Sequence, residues 1–138
     1  GMPRRMSAGF DHNRTSLLVA IMEKRLGLNL QGEDIFINIA GGLKISEPAV
    51  DMGVAAAIAG SFRNRSVDPH TVMIGEVGLT GEVRSVMQLE ARLTEAERLG
   101  FKKCVVPHSI KEDRLLNKNS SLRLVPVKTL SEAFDAVF

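Results

Sequence analysis

The run Glu47-Pro48-Ala49-Val50-Asp51-Met52-Gly53-Val54-Ala55-Ala56-Ala57-Ile58-Ala59-Gly60 sets the tightest limit on how this chain can fold. Ser46 can cap a helix there, and Pro48 suits a helix first turn. One face, made of Val50, Val54, Ala57, Ile58 and Ser61, is small and apolar. Such a helix has to lie close against a sheet. Asp51 stands in its first turn, where the helix dipole favours an anion.

The rest of the chain supplies that sheet. Residues 4–10 begin abruptly in a strand-like register. Asp11 or Asn13 can cap a helix over about 14–26, with Leu17, Leu18, Ile21, Met22 and Leu26 as its apolar stripe and Gly27 as its stop. A buried strand is expected at 34–40, then a Gly41-Gly42 turn and a short strand at 43–45. Residues 71–77 and 81–86 read as a hairpin around Leu79-Thr80-Gly81. A third helix over about 87–99, closed by Gly100, leads into a strand at 103–106. A loop rich in Asn and Ser at 117–121 precedes a last strand at 122–127 and a helix at 130–137. Strands alternate with helices, so the class is α/β with a mixed sheet.

At 138 residues the chain fits a single domain with a real core. Gly1 before Met2 reads as a tag remnant, and the domain is expected over 2–138, cut from a longer protein. No run approaches the length of a membrane span, and no signal peptide is evident, so a cytoplasmic location is expected. One cysteine, Cys104, excludes a disulfide framework and a cysteine-based metal site. The net charge of +2 does not by itself imply a nucleic-acid partner. Its distribution is more suggestive: residues 1–32 hold Arg4, Arg5, Arg14, Lys24 and Arg25 against Asp11 and Glu23. There is no Trp or Tyr, and the six Phe residues sit mostly in apolar contexts, which argues against a base-stacking platform. Nucleic-acid binding would rest on salt-sensitive, sequence-blind phosphate contacts.

Two Gly-rich segments invite a phosphate-loop reading. Gly75-Glu76-Val77-Gly78-Leu79-Thr80-Gly81 has neither the dinucleotide spacing nor a following Lys-Ser/Thr. Ala40-Gly41-Gly42-Leu43-Lys44-Ile45-Ser46 has a lysine without the earlier glycines. Tight turns explain both, so no cofactor is expected on this chain. His12, His70 and His108 stand too far apart to read as metal ligands.

Segment 34–60 resembles the core of Lon-type peptidases: a strand, a Gly-containing turn, and the helix that bears the nucleophilic serine. Segment 71–107 resembles the next part of that core, a hairpin with Gly-Glu-Val, a helix with the dyad lysine, and a strand ending in Val-Pro. On that correspondence the serine position falls on Asp51 and the lysine position on Glu90. A carboxylate cannot replace a hydroxyl activated by an amine. Two facing carboxylates could do acid–base work if burial separated their pKa values. The plainer alternative is an N-terminal helix anion and a solvated helix residue. Ser46 and Ser85 are off the dyad positions, and capping or turn roles explain them.

Longer motifs narrow the family. Arg4-Arg5-Met6-Ser7-Ala8-Gly9-Phe10-Asp11-His12-Asn13-Arg14, residues 17–25, residues 34–42 with Lys44, Glu47-Pro48-Ala49-Val50-Asp51, the stretch 75–84, Leu89-Glu90-Ala91-Arg92 and Gly100-Phe101 resemble the C-terminal Lon-like domain of the RadA (Sms) family of bacterial DNA-repair proteins. Ser7, Phe10 and Met87 depart from the usual pattern. The resemblance implies a Lon-like fold, similar to the second domain of ribosomal protein S5. It also implies a non-peptidase scaffold, a hexameric ring in the parent protein, and contact with single-stranded or branched DNA. ATP, Mg and Zn would belong to modules absent from this chain, as would ATP hydrolysis.

In such a fold Arg4, Arg5, Arg14 and Lys44 can lie near one another, which makes them the candidate nucleic-acid-binding residues. Arg63/Arg65 and Lys102/Lys103 read as solvated pairs. Two other functions remain open at this level: a residual hydrolase using Asp51 and Glu90, and oligomerisation without nucleic-acid contact.

Overall fold

In the computed structural model, which describes residues 1–115, 117 and 119–138, Asp11 and Gly27 fix the ends of the first helix. Of the loop expected at 117–121, Lys118 lies outside the described residues. The chain forms two compact units, Gly1–Glu47 and Pro48–Phe138.

In the N-terminal unit, β1 (Arg5–Ala8) and β2 (Ile35–Asn38) pair in parallel, with Arg5 opposite Ile35 and Ala8 opposite Asn38. A parallel pair needs a crossover, and α1 (His12–Leu26) provides it. The Asp11 carboxylate accepts the Arg14 N–H at 3.1 Å, and Gly27 closes the helix in the left-handed region at φ 68°. The buried face is Thr15, Leu18, Val19, Ile21 and Met22; Leu17 and Leu26 are only half-buried. Thr15 lies inside although it is absent from the expected apolar stripe. Its hydroxyl is satisfied by donating to the Asp11 carbonyl at 3.2 Å.

The strand expected at 34–40 is shorter and is not buried throughout. Ile35 is buried, whereas Phe36 and Asn38 face out, because this small sheet has α1 on one side only. Residues 43–45 form no strand. A single 3₁₀ turn at Ala40–Gly42 is followed by one bridge from Ile45 to Phe10, in which the Ile45 N–H donates to the Gly9 carbonyl at 2.7 Å. Gly9 is required at this junction. Its φ is +86°, and a Cβ there would lie 2.3 Å from the Leu43 carbonyl oxygen.

In the C-terminal unit, a 3₁₀ turn at Pro48–Val50 runs into α2 (Asp51–Arg63), so Val50 rather than Ser46 is the cap residue. The face of α2 that packs inward is Met52, Ala55, Ala56, Ile58 and Ala59. Ala57 and Ser61, expected inside, are exposed. Small side chains do allow the close packing expected of this helix, but on a face rotated from the expected one. Gly60 shows how tight it is, since a Cβ there would stand 2.7 Å from the Arg65 carbonyl oxygen.

The strands of this unit separate by direction. β3 (Thr71–Met73), β6 (Lys103–Pro107) and β7 (Arg123–Val127) form a parallel sheet in the order β3-β6-β7. β4 (Glu76–Val77) and β5 (Val83–Arg84) form an antiparallel hairpin. The expected hairpin arm 71–77 is thus divided: its first half joins the parallel sheet, and only 76–84 turns back. Parallel and antiparallel pairing both occur among the described strands, but in separate sheets. Central β6 is the most buried strand, and Cys104 and Val106 pack with Ala49, Ile74, Leu93, Ala96 and Leu122. α3 (Leu89–Arg98) covers that core, a short α4 (Glu112–Leu115) adds a turn that the sequence pattern does not predict, and α5 (Leu130–Val137) matches its expected span. Thr129 caps α5 by accepting the Glu132 N–H at 3.1 Å, while the Glu132 carboxylate accepts the Lys128 N–H at 2.8 Å.

Candidate nucleic-acid interface and the surroundings of Asp51 and Glu90

Asp51 and Glu90, expected at the dyad positions, meet different surroundings in the C-terminal unit. Asp51 opens α2 and is wholly buried, its carboxylate accepting the Val77 N–H of β4 at 3.1 Å. The carboxylate is thus held between the first turn of α2 and a main-chain donor of the hairpin. Glu90, on α3, is exposed, and its carboxylate holds the largely buried Arg114 guanidinium of α4 at 3.1 Å. The solvated-helix reading of Glu90 is therefore incomplete: it faces water and anchors another helix. Arg92, on the same helix, donates to the Met87 carbonyl at 2.9 Å.

The Gly-rich stretch 75–84 closes on itself. The Glu82 carboxylate accepts from the Thr80 hydroxyl at 2.7 Å, the Thr80 N–H at 3.0 Å and the Arg84 guanidinium at 3.1 Å. The Thr80 hydroxyl, main-chain donors and Arg84 hold its acid down at about 2. A turn whose donors already face an internal carboxylate is built as a hairpin, in keeping with the tight-turn reading.

The four candidate phosphate-binding residues all lie in the N-terminal unit, at opposite ends of β1. Arg4 and Arg5 are at its start. Arg14 opens α1 after its end, and Lys44 precedes Ile45, which bridges to Phe10. Arg4 pairs with Asp34 at 3.3 Å and lies over the Phe36 ring, 5.6 Å from the centroid. Its main-chain N–H and guanidinium keep Asp34 below the ordinary carboxylate range. Arg5 is turned inward: its guanidinium donates to the Leu30 carbonyl at 2.9 Å and to the Glu33 carbonyl. It braces the loop before β2. Arg14 is half-buried, and Lys44 is exposed. The unit as a whole is nearly balanced, with six Lys and Arg against Asp11, Glu23, Glu33, Asp34 and Glu47.

Three of the four residues read as solvated pairs, Arg63, Arg65 and Lys103, instead hold the C-terminal helix and its end, while Lys102 is exposed. The Arg63 guanidinium lies over Phe134 and Phe138, 5.9 and 6.0 Å from the ring centroids, and Arg65 donates to the Phe138 carbonyl at 3.0 Å. Lys103 donates to the Ala136 carbonyl. Such long-range partners leave no local sequence signal. Among the described residues, no three of His, Cys, Asp and Glu form a group that could hold a metal ion. No helix there is long and apolar enough to cross a membrane.

Residues 10–110 match the family described as ChlI, subunit ChlI of Mg-chelatase. The chain belongs to that family. This ChlI-family chain is also similar to curated proteins named DNA repair protein RadA. One, from Halalkalibacterium halodurans, is 47% identical over 138 residues, covering 98% of this chain and 29% of the relative. Another, from Bacillus subtilis, is 53% identical over 107 residues, 78% of this chain and 23% of the relative. A third, from Synechocystis, is 46% identical over 125 residues, covering 91% and 24%. The chain thus spans less than a third of the length of these relatives, and the family resemblance drawn from its motifs agrees with their names.

Proposed function

We propose that residues 2–138 are the Lon-like domain of a RadA-type DNA-repair protein, without peptidase activity of its own. In this reading the domain works in the cytoplasm as a scaffold for self-association and as a sequence-independent contact for DNA. The carrying observation is the 47% identity to a DNA repair protein RadA over 98% of the chain. The surroundings of the two positions support the absence of hydrolysis, because Asp51 is buried and bonded to the main chain and Glu90 is engaged with Arg114. A buried carboxylate paired this way has a structural use, and neither position offers a nucleophilic hydroxyl or an amine base. The ATPase chemistry, with its ATP and metal ions, is assigned to the parts of the relatives that this chain does not span. A hexameric ring would be a property of that longer protein. The chelatase function in the family's description belongs to the protein it names.

The phosphate-contact role falls mainly on Arg4, Arg14 and Lys44, since Arg5 has an internal use. The test is a titration of fluorescent single-stranded and forked DNA with this chain, from low to physiological salt. Binding should weaken linearly on logarithmic axes with salt, and the slope should fall by about one for each cation removed by Arg14→Ala or Lys44→Ala. Equal binding by wild type and the Arg4/Arg14/Lys44 triple variant would reject this site. Hydrolysis of unfolded casein that disappears in Asp51→Ala would instead favour the peptidase alternative. Assembly that ignores DNA at every salt concentration would leave a purely structural scaffold.

A further inference from the structure

The outer face of the β1–β2 sheet carries an exposed aromatic ring. Even-numbered residues of both strands point away from α1, and the register sets Met6 opposite Phe36 and Ala8 opposite Asn38. Phe36 is 58% exposed and Met6 59%. The Arg4 guanidinium stacks on Phe36 from the strand's beginning, and exposed Lys44 follows the strand's other end. The apolar neighbours of Phe36 in the sequence, which argue against a stacking platform, do not reveal this exposure. In Ile35-Phe36-Ile37 the strand's alternation turns the two isoleucines inward and the Phe outward.

We infer that Phe36 is a stacking platform for one unpaired base of single-stranded DNA, with Met6 as its floor and Arg4 reaching the adjoining phosphate. The inference rests on the DNA-contact reading above and adds to it a preference for unpaired strands. Stacking on an exposed ring is available only to a base outside a duplex, and it tolerates any sequence because every base has a π-face. A guanidinium already lying on the ring can stay as a second stacking surface or swing to a phosphate. The shape of the face favours a base over a protein partner. Its two large apolar side chains are followed along the strands by Ala8 and Asn38 and flanked by the Arg4 cation, which breaks the apolar surface.

The absence of Trp and Tyr makes the test direct, because Phe36→Trp adds the chain's only indole. Wild type, Phe36→Trp and Phe36→Ala are titrated with a thymidine oligomer, with an abasic oligomer of the same phosphate count, and with a duplex. Phe36→Ala should lose about tenfold in affinity for the thymidine oligomer while matching wild type on the abasic strand and the duplex. Phe36→Trp should keep the affinity, and its fluorescence should be quenched by the thymidine oligomer but not by the abasic one. Unchanged affinity in Phe36→Ala, with an unquenched Trp while DNA is bound, overturns the stacking inference and leaves the phosphate reading standing. Failure of wild type to bind any of the three DNAs at low salt rejects both. Self-association abolished by Phe36→Ala with DNA affinity intact would assign the face to a second copy of the chain and also overturn it.

Discussion

The Asp51 carboxylate, wholly buried at the start of α2, accepts the main-chain N–H of Val77 at 3.1 Å and so joins α2 to the β4–β5 hairpin. Replacing it by Ala removes a buried acceptor and weakens the satisfaction of the Val77 N–H. Asp51→Ala should therefore destabilise the fold by about 1–3 kcal/mol, read as a shift of the urea midpoint at unchanged slope. Asp51→Asn, which keeps an acceptor of the same shape, should lose less. A variant as stable as wild type would show that this bond does not hold α2 to the hairpin.

Arg5 provides a second check, because its role differs from that of its neighbour. Its donors hold the Leu30 and Glu33 carbonyls, so Arg5→Ala should lower stability by about 1 kcal/mol. Lys44→Ala, at an exposed position, should leave the melting temperature unchanged. Thermal melts of both variants, run beside the DNA titrations, separate loss of fold from loss of contact. Equal melting of the two variants would remove the bracing role assigned to Arg5.

Glu82 gives a pH signature. Its acid is held near 2 in the folded hairpin and lies near 4.5 when unconstrained. A depressed folded-state value adds stability that is fully present above about 4.5 and disappears as the pH falls toward 2. Glu82→Gln should flatten that part of the acid-unfolding curve and leave neutral stability lower. Gly78→Ala acts on the same contact, since its Cβ would fall 2.2 Å from the Glu82 carboxyl carbon. The displaced carboxylate should titrate closer to 4.5 by carbon-detected NMR. A Glu82 acid that stays near 2 in Gly78→Ala would contradict the geometry.

Cys104 reports on opening of the β-sheet core. Burial pushes its thiol up to about 12, and its side chain is inside the core cluster. Ellman's reagent at pH 8 should leave the native chain unlabelled and should react with one thiol once denaturant unfolds it. Fast labelling of the folded chain would mean that β6 is accessible without global unfolding.

Local signals are the most legible in this chain. Asp11, Gly27 and Gly100 lie at or beside the helix ends that their residue types mark, and the span of α5 is readable from its periodicity and from Thr129. The division of 71–77 between two sheets is not legible, because its pairing is decided by distant β6 and leaves no trace in the segment itself. The face of α2 is hidden for a related reason. A helix of Ala and Gly carries little amphipathic contrast, so packing rather than pattern chooses its orientation. At the candidate sites the residues can be read from the sequence but their partners cannot. Glu90 with Arg114, Arg5 with Leu30, and Arg65 with Phe138 each join positions more than twenty residues apart.

The crossover built by α1 also orders events in time. Arg4 and Asp34, which meet across the beginning of the β1–β2 ladder, are 30 positions apart in the chain. The two strands therefore pair only by closing a long loop, and formation of the intervening helix shortens the distance between them. Closing that loop costs entropy before any ladder bond forms. The β4–β5 hairpin, by contrast, closes over a few residues. On a ribosome the segment 5–8 emerges before 35–38 and waits for a partner still to be synthesised. Through that interval its Met6 side chain and its open backbone edge face solvent, so β1 is where early misassociation of this chain would begin.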